Sequence, residues 1–289
     1  MEKFCIITNT LKDQDYAISK QIKDFFEKNG KSCLITKDLP FDLQAVSSDI
    51  KRTDISEIPD DTECAIILGG DGTFIQAASD LREMGIPMVG VNLGTLGYLT
   101  EIEQKEMFSA FEKLIKDDYI LERRMMLHGL LYYDGGKKKN FGTALNDIVI
   151  SRGICGRMIS VELTINGQFL DTYIGDGVIL STPTGSTSYN LSAGGPVVAP
   201  QVQAIIITPI CPHSLNNRSM VINASDQVEL KVGRTKAEAA DEAVITLDGR
   251  LGLLLQTGDR IEVGKAAQET KILKLTNHCF YDVVKSKFQ

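Results

Sequence analysis

The chain has 289 residues, of which 43% are hydrophobic and 24% charged, and its formal net charge is −7. This length allows two domains of ordinary size, each with its own core. The acidic balance argues against a nucleic-acid partner, and no apolar run approaches the length of a membrane span. The N-terminus enters a predicted strand at once and leaves no room for a signal peptide, so we expect a cytoplasmic protein.

Strand-like and helix-like segments alternate over the first 120 residues. Apolar residues spaced as in Ile18, Ile22 and Phe26 predict a helix that ends at Asn29-Gly30. Strands are predicted at residues 4–8, 32–36, 64–68 and 88–91, with a second helix from about 73 to 84. This alternation predicts a doubly wound parallel sheet, in which ligands bind at the carboxyl ends of strands.

A glycine-rich turn, Gly69-Gly70-Asp71-Gly72-Thr73, directly follows the predicted strand 64–68. Its backbone amides are suited to phosphate oxygens, which makes Gly69, Gly70, Gly72 and Thr73 candidate phosphate-binding residues. A phosphate cradle gains nothing from a carboxylate at its centre, so Asp71 is predicted to order a metal or accept a proton. The alternative is an ordinary strand-to-helix turn. The chain has neither a P-loop nor a G-x-G-x-x-G motif.

After about residue 123 the pattern changes to short strands, of which 159–165 alternates strictly and meets the turn pair Asn166-Gly167. This half predicts an all-β, sandwich-like domain. The predicted domains are an α/β domain over 1–122 and a β-rich domain over 123–270. Further strands are predicted at 144–151, 178–181, 204–208, 220–222, 228–232, 244–247 and 260–263.

Three polar segments are candidate ligand-binding regions. Residues 181–192 contain seven Ser or Thr side chains for a polyhydroxylated or phosphorylated ligand, unless they form a solvated surface loop. Asn146-Asp147 interrupts an apolar run, so these side chains need partners from the backbone or from a ligand. The glycine spacing of 92–100 is typical of a mobile flap carrying Leu96, Gly97 and Tyr98, or of a rigid interdomain connection.

These motifs, in this order from about residue 64 to 250, resemble the NAD kinases of bacterial type. GGDGT is also shared with lipid kinases, whereas the block STPTGSTSYNLSAGGP is specific. The resemblance implies phosphorylation of the adenosine ribose 2′-hydroxyl of NAD by ATP or polyphosphate. It also implies Mg²⁺ delivered with ATP, with no fixed protein metal cluster, and a homodimer or homotetramer. The segment 271–289 is expected to return to the first domain.

The resemblance also assigns roles to individual residues. Asp71 matches the catalytic aspartate, and Tyr189 offers a flat face to a base. His213 lies in a segment that the family shares. Ile174 and Arg250 depart from the family pattern, in which Lys or Arg and glutamine are frequent at these positions. The implied NAD-binding residues are Asp71, Gly72, Asn146, Asp147, Arg157, Asp176, Thr187, Ser188, Tyr189, Asn190, Leu191 and Ser192.

Two other functions compete with an NAD kinase. A lipid kinase would share GGDGT but would need an apolar entrance or a basic membrane face, and the acidic composition supplies neither. A catalytically silent dinucleotide sensor would retain Asn146 and Tyr189 but would have no use for Asp71. The presence of Asp71 therefore favours the enzyme.

Overall fold

The computed structural model describes residues 1–37, 53–95, 97–153, 157–214, 216–235, 242–250, 252–276 and 279–288. These residues form five α-helices: α1 (Ala17–Lys28), α2 (Asp71–Asp80), α3 (Met107–Ile115), α4 (Tyr189–Ser192) and α5 (Phe280–Phe288). Their strands are β1 (Lys3–Thr8), β2 (Ser32–Ile35), β3 (Cys64–Gly69), β4 (Met88–Asn92), β5 (Ile102–Glu103), β6 (Ile120–Tyr132), β7 (Lys138–Ala144), β8 (Asp147–Arg152), β9 (Ile159–Ile165), β10 (Gln168–Gly175), β11 (Gly177–Ser181), β12 (Ala204–Ile210), β13 (Met220–Asn223), β14 (Val228–Val232), β15 (Glu242–Leu247), β16 (Leu253–Gln256) and β17 (Arg260–Lys274).

The chain divides into two compact units. The described residues up to Arg124 and from Gln268 onward form the first unit, and those from Met125 to Ala267 form the second. The boundaries predicted from the sequence lie after residues 122 and 270.

In the first unit the strands lie in the order β17-β4-β3-β1-β2, and each neighbouring pair is parallel. Residues Phe4–Thr8 of β1 are all buried, which explains why they read as an unbroken apolar run. Helix α1 buries Ile22 and Phe26 in the same core, and Leu273 and Leu275 join it from the end of the chain. The predicted parallel-sheet domain and the return of the chain to it are therefore confirmed.

Helix α2 begins at Asp71, two residues before the predicted start. Gly70 is its N-cap and keeps an extended backbone (φ −125°), so the helical conformation begins at the next residue. The helix ends at Asp80, earlier than predicted. A turn leads from there to Gly85, which has a positive φ of 61°. Glycine adopts this conformation without a steric penalty.

The second unit consists of two sheets. One contains β10-β9-β14-β17, with β6 beside β17 and β7 beside β6, and the other has the order β13-β12-β11-β8-β15-β16. Every pair in the second sheet is antiparallel. Buried aliphatic side chains from both sheets form one core, as in a sandwich. The predicted all-β domain is confirmed.

Strand register determines which loops of the second unit meet. Strand β8 lies between β11 and β15, with Asp147 opposite Ser181 and Ile148 opposite Leu247. Because both neighbours run antiparallel to β8, the start of β8 lies beside the ends of β11 and β15. Three segments therefore meet where these strands end: the Asn146-Asp147 pair, the Ser/Thr-rich loop after β11 and the turn after β15.

Candidate active site

The GGDGT turn connects β3 to α2 in the first unit. A Cβ atom on Gly69 would lie 2.3 Å from Thr73 Oγ1, so a larger residue would push this turn open. The first intrahelical bond runs from Phe74 N–H to the Gly70 carbonyl. The N–H groups of the preceding residues consequently point out of the helix N-terminus, where they favour anions.

The carboxylate of Asp71 is held by the loop that follows β4. Its Oδ2 accepts the N–H of Tyr98 at 2.8 Å, and its Oδ1 accepts the N–H groups of Leu99 and Thr100 at 3.0 and 3.1 Å. The Thr100 hydroxyl donates to the same Oδ1 at 3.1 Å. Since Oδ2 accepts only this one bond among the described residues, it keeps a lone pair for a ligand.

The glycine at position 97 makes this contact possible, because a Cβ there would lie 2.0 Å from Asp71 Oδ1. Burial, and then the charge of Asp71, raise the pKa of the Tyr98 hydroxyl. The structure therefore brings Gly97 and Tyr98 of the predicted flap against Asp71. Leu96, the third residue of that flap, lies outside the described residues.

A cavity of about 490 Å³ lies beside the GGDGT turn. This volume falls in the range of small-molecule sites. Asn9 donates to Thr73 Oγ1 at 3.4 Å across it. The cavity is lined by Ile7, Thr8, Asn9, Thr10, Leu11, Lys12, Thr53, Gly70, Gly72, Thr73 and Gln76.

Among the described residues that line this cavity, Lys12 is the one cation. Its ammonium lies 3.1 Å from where a Cβ on Gly94 would be, and it makes no ion pair with any described residue. The loop that carries Lys12 is fixed from inside by Asp13, which is 1% exposed and accepts the N–H of Ile18 at 2.7 Å. The cavity thus combines backbone N–H donors with an uncompensated positive charge.

In the second unit, Asn146 is 6% exposed and donates from Nδ2 to Ser188 Oγ at 3.0 Å. Its carbonyl oxygen accepts the N–H of Thr182 at 2.8 Å. The side-chain Oδ1 has no hydrogen-bond partner among the described residues. A buried amide oxygen without a partner costs free energy, which a ligand donor would recover.

The carboxylates of Asp147 and Asp248 are neighbours in this part of the second unit. Burial, followed by the charge of Asp248, raises the pKa of Asp147 to about 7. Burial of its carboxyl group also raises the pKa of Asp248, against the lowering effect of three backbone N–H donors. Because those donors favour the ionised form of Asp248, Asp147 is the member of the pair that holds a proton near neutral pH.

The Ser/Thr-rich loop separates into residues that build it and residues that remain accessible. Asn190 is fully buried, and its side chain forms hydrogen bonds within the protein. Its Nδ2 donates to the carbonyls of Ser186 and Pro196, and its Oδ1 accepts the hydroxyl of Thr208. It is predicted to bind NAD, but within the described residues its polar atoms are already paired. Thr187, Ser188, Tyr189, Leu191 and Ser192 are all at least partly exposed.

Asp176 and Tyr189 lie before and after strand β11 in the chain. Asp176 forms an ion pair with Arg152, at 3.0 Å between Oδ1 and Nε. Partial burial, and then the charges of Cys211, Asp176 and Asp147, raise the pKa of the Tyr189 hydroxyl. Of the predicted residues, Asn146, Asp147 and Ser188 are brought together, whereas Asp176 precedes the start of β11, whose other end pairs with Asp147.

Four further positions either were candidate site residues or depart from the family pattern, and only Arg250 among them acts on the Asp147-Asp248 pair. Arg157 and His213 are exposed, and the His213 N–H donates to the Ile174 carbonyl at 2.8 Å. Ile174 is 41% exposed on β10. Arg250 follows Asp248 in the turn after β15, where its charge acts to lower the pKa of Asp248.

No cluster of three or more His, Cys, Asp or Glu residues in the described part of the chain could hold a metal ion. Nor do the described residues contain a helix long and apolar enough to cross a membrane.

Sequence reasoning missed three residues of these sites. Asn9 and Lys12 lie in a polar loop after β1, and only their position at the carboxyl end of a parallel strand could have indicated a role. Asp248 lies in a Leu-Asp-Gly-Arg turn, where an aspartate is an ordinary turn residue.

Comparison with known proteins agrees with both units. Residues 4–119 match the family model of the ATP-NAD kinase N-terminal domain, and residues 145–275 match that of the ATP-NAD kinase C-terminal domain. The NAD kinase of Lachnoclostridium phytofermentans is 46% identical over 289 residues, which cover 100% of this chain and 99% of the relative. That of Lachnospira eligens is 40% identical, over 99% of this chain and 100% of the relative.

Two solved structures share the fold. The yeast NADH kinase complexed with NADH superimposes with a TM-score of 0.76 at 24% identity, covering 96% of this chain and 84% of that one. The NAD kinase from Archaeoglobus fulgidus in complex with ATP has a TM-score of 0.75 at 21% identity, covering 99% and 98%.

The protein is therefore a phosphotransferase. Within that class, the chain belongs to the NAD kinase family.

Proposed function

We propose that the protein transfers the terminal phosphate of ATP, or of polyphosphate, to the 2′-hydroxyl of the adenosine ribose of NAD, which yields NADP. The observation that carries this proposal is Asp71, the first residue of α2, which lies in the chain between Gly70 and Gly72, two residues that line a cavity with phosphate-binding chemistry. A site that only held phosphate would exclude a carboxylate, whereas a phosphoryl-transfer site uses one to take the proton of the attacking hydroxyl.

The donor phosphates occupy the cavity beside the GGDGT turn in this proposal. The N–H groups at the start of α2 stabilise the phosphate oxygens, and Lys12 in the lining contributes a positive charge. Gly70 and Gly72 have open space where a Cβ would be, so phosphate oxygens can reach the backbone directly. The Archaeoglobus fulgidus relative was crystallised with ATP, which supports a nucleotide donor here.

A divalent cation is compatible with this cavity. Mg²⁺ is usually bound through substrate phosphates and water with few protein ligands, so a preformed cluster is not required. Oxygen atoms of Asn9, Thr10 and Thr73 line the cavity and suit such a hydrated ion. Mg²⁺ arriving with ATP would neutralise charge on the transferring phosphoryl group.

The NAD substrate uses the residues gathered in the second unit. Asn146 Oδ1 is the unpaired acceptor for a ribose hydroxyl or the carboxamide, and a protonated Asp147 beside it donates a hydrogen bond. Tyr189, 45% exposed, offers an aromatic face to a flat ring. The yeast relative was crystallised with NADH, which supports a dinucleotide as substrate.

We further propose a homo-oligomer, a dimer or a tetramer, that acts in the cytoplasm. The support for self-association is β10, an edge strand that exposes Phe169, Leu170 and Ile174 to 64%, 49% and 41%. Edge strands with exposed apolar side chains pair readily with another chain.

The deciding experiment incubates the purified protein with NAD, ATP and Mg²⁺ and detects NADP by a dehydrogenase that accepts only NADP. Parallel reactions replace ATP with polyphosphate, and NAD with diacylglycerol in micelles. NADP formation is the expected result. Phosphorylated lipid without NADP would identify a lipid kinase, and tight NAD binding without turnover would identify a sensor.

A further inference from the structure

We infer that Asp248 is a positioning residue for NAD binding. Its carboxylate accepts the backbone N–H groups of residues 145–147 and thereby orients the Asn146-Asp147 pair. The inference rests on the proposed NAD site. It adds a residue that acts through the peptide backbone of residues 145–147.

The three N–H groups converge on one carboxylate. Leu145 N–H donates to Asp248 Oδ2 at 2.8 Å, and Asn146 and Asp147 N–H donate to Oδ1 at 2.7 and 3.0 Å. In return, the N–H of Asp248 donates to the carbonyl of Asp147 at 2.9 Å. Successive N–H groups that point at one anion are a rigid arrangement, and bonds to a charged acceptor are stronger than neutral ones.

The other side of the same segment is fixed by the loop after β11. Thr182 donates from Oγ1 to the Leu145 carbonyl at 2.6 Å and from N–H to the Asn146 carbonyl at 2.8 Å. A Cβ on Gly185 would lie 2.3 Å from that Asn146 carbonyl, so the packing is close. Residues 145–147 are therefore clamped between Asp248 and this loop, and the direction of the Asn146 side chain is determined by the clamp.

Asp248 adopts a backbone conformation that is unfavourable for aspartate, which indicates that its side chain is needed at this position. Its φ is +49°, in the left-handed region that a side chain with a Cβ adopts at a cost. Asparagine and glycine tolerate this conformation better, and Gly249 follows at φ +68°. Glycine at 248 would relieve the strain but would leave the three N–H groups without an acceptor.

The test measures NAD binding and steady-state kinetics for Asp248→Asn in the full-length protein. One amide oxygen cannot serve three N–H donors, and the amide NH₂ would face them. We expect the dissociation constant and KM for NAD to rise at least tenfold, while KM for ATP and kcat at saturating NAD change less than threefold. Asp248→Glu keeps the charge but displaces the carboxylate by one methylene, and it should also weaken NAD binding.

Asp259→Asn is the matched control. Asp259 is 5% exposed in the same unit and accepts two backbone N–H groups, from Asp134 and Gln256, at 2.9 and 2.8 Å. It contacts none of the clamp residues. This variant should lose thermal stability yet bind NAD within twofold of the unmodified protein.

A double-mutant cycle separates positioning from stability. If Asp248 acts through Asn146 and Asp147, then Asp248→Asn should have little further effect on NAD affinity in an Asn146→Ala/Asp147→Ala background. Additive losses, or unchanged NAD affinity in both Asp248→Asn and Asp248→Glu, would overturn the inference. If Asp248→Asn does not fold, Asp248→Glu decides. Failure of the unmodified protein to bind NAD would instead refute the proposed function, so the two failures are distinguishable.

Discussion

The carboxylate of Asp71 has two functions that one substitution would remove together: it anchors residues 98–100 and supplies the proposed base. We expect Asp71→Asn to bind NAD but to lose turnover by about 10²–10⁴-fold, the usual contribution of a positioned general base. Thr100→Val is the matched variant, because it deletes one hydrogen bond to Asp71 and keeps the carboxylate. Its kcat should fall by less than about tenfold. Equal losses in the two variants would make Asp71 an anchor alone.

The charge of Lys12 is expected to contribute to binding of ATP, the proposed phosphate donor. Removing its charge in Lys12→Ala should raise KM for ATP roughly tenfold at low ionic strength, and the difference should shrink as salt screens the site. Lys12→Arg should recover most of the affinity. Lys20→Ala, an exposed lysine on α1, is the control. If KM for NAD rises in place of KM for ATP, the cavity belongs to the acceptor.

Asp147 makes stability depend on pH. Its pKa is raised from 3.8 to about 7, so between these values the folded protein holds a proton that the unfolded chain has released. The free energy of unfolding therefore loses this contribution as pH rises from about 4 to 7, by on the order of 4 kcal/mol. Asp147→Asn should lack that decline. Unfolding midpoints of both proteins at pH 4–8 provide the measurement, and parallel curves would contradict the assignment.

At the scale of elements, helix α5 packs on the loop that holds Asp71. The rings of Phe280 and Tyr98 are 6.0 Å apart, and the Lys287 ammonium lies 5.1 Å from the Tyr98 ring centroid. Phe280→Ala should speed amide hydrogen exchange in residues 97–100 several-fold, because those N–H groups lose support. Tyr281→Ala is the control, since Tyr281 is 67% exposed. Equal protection in all three proteins would show that α5 does not stabilise this loop.

How far the sequence predicts an element depends on its pattern. Strands β9 and β14 match their predicted bounds, because strict alternation produces one buried and one accessible face. Strand β10 was not predicted, because its first four residues are all exposed and no alternation marks them. Strands β5, β6, β7 and β16 and helices α3, α4 and α5 were also missed.

The site shows a similar division. Motif chemistry indicated Asp71, Asn146 and Asp147, since each polar residue interrupts a glycine turn or an apolar run. It could not indicate Asp248, whose part depends on the register that brings the end of β15 beside the start of β8. Nor could it separate Asn190, whose side chain is used internally, from its accessible neighbour Tyr189.

At the scale of the whole molecule, self-association through β10 is open to a direct test. Phe169→Glu places a charge on an apolar side chain that is 64% exposed and should lower the oligomer mass measured by light scattering. Leu254→Glu is the matched control, because Leu254 is 69% exposed on β16, the edge of the other sheet. If only Leu254→Glu dissociates the oligomer, the contact uses the other edge.

Strand β17 begins in the second unit and ends in the first, where Ile272 pairs with Met88 of β4. The core around β4 also needs Leu273 and Leu275. A ribosome making this chain thus releases the first 124 residues long before it supplies the side chains that complete their core. At about 5–20 residues per second, the wait is on the order of ten to thirty seconds. During translation the N-terminal unit is therefore the later of the two to finish, and its unfilled apolar surface is where nascent chains would need a chaperone.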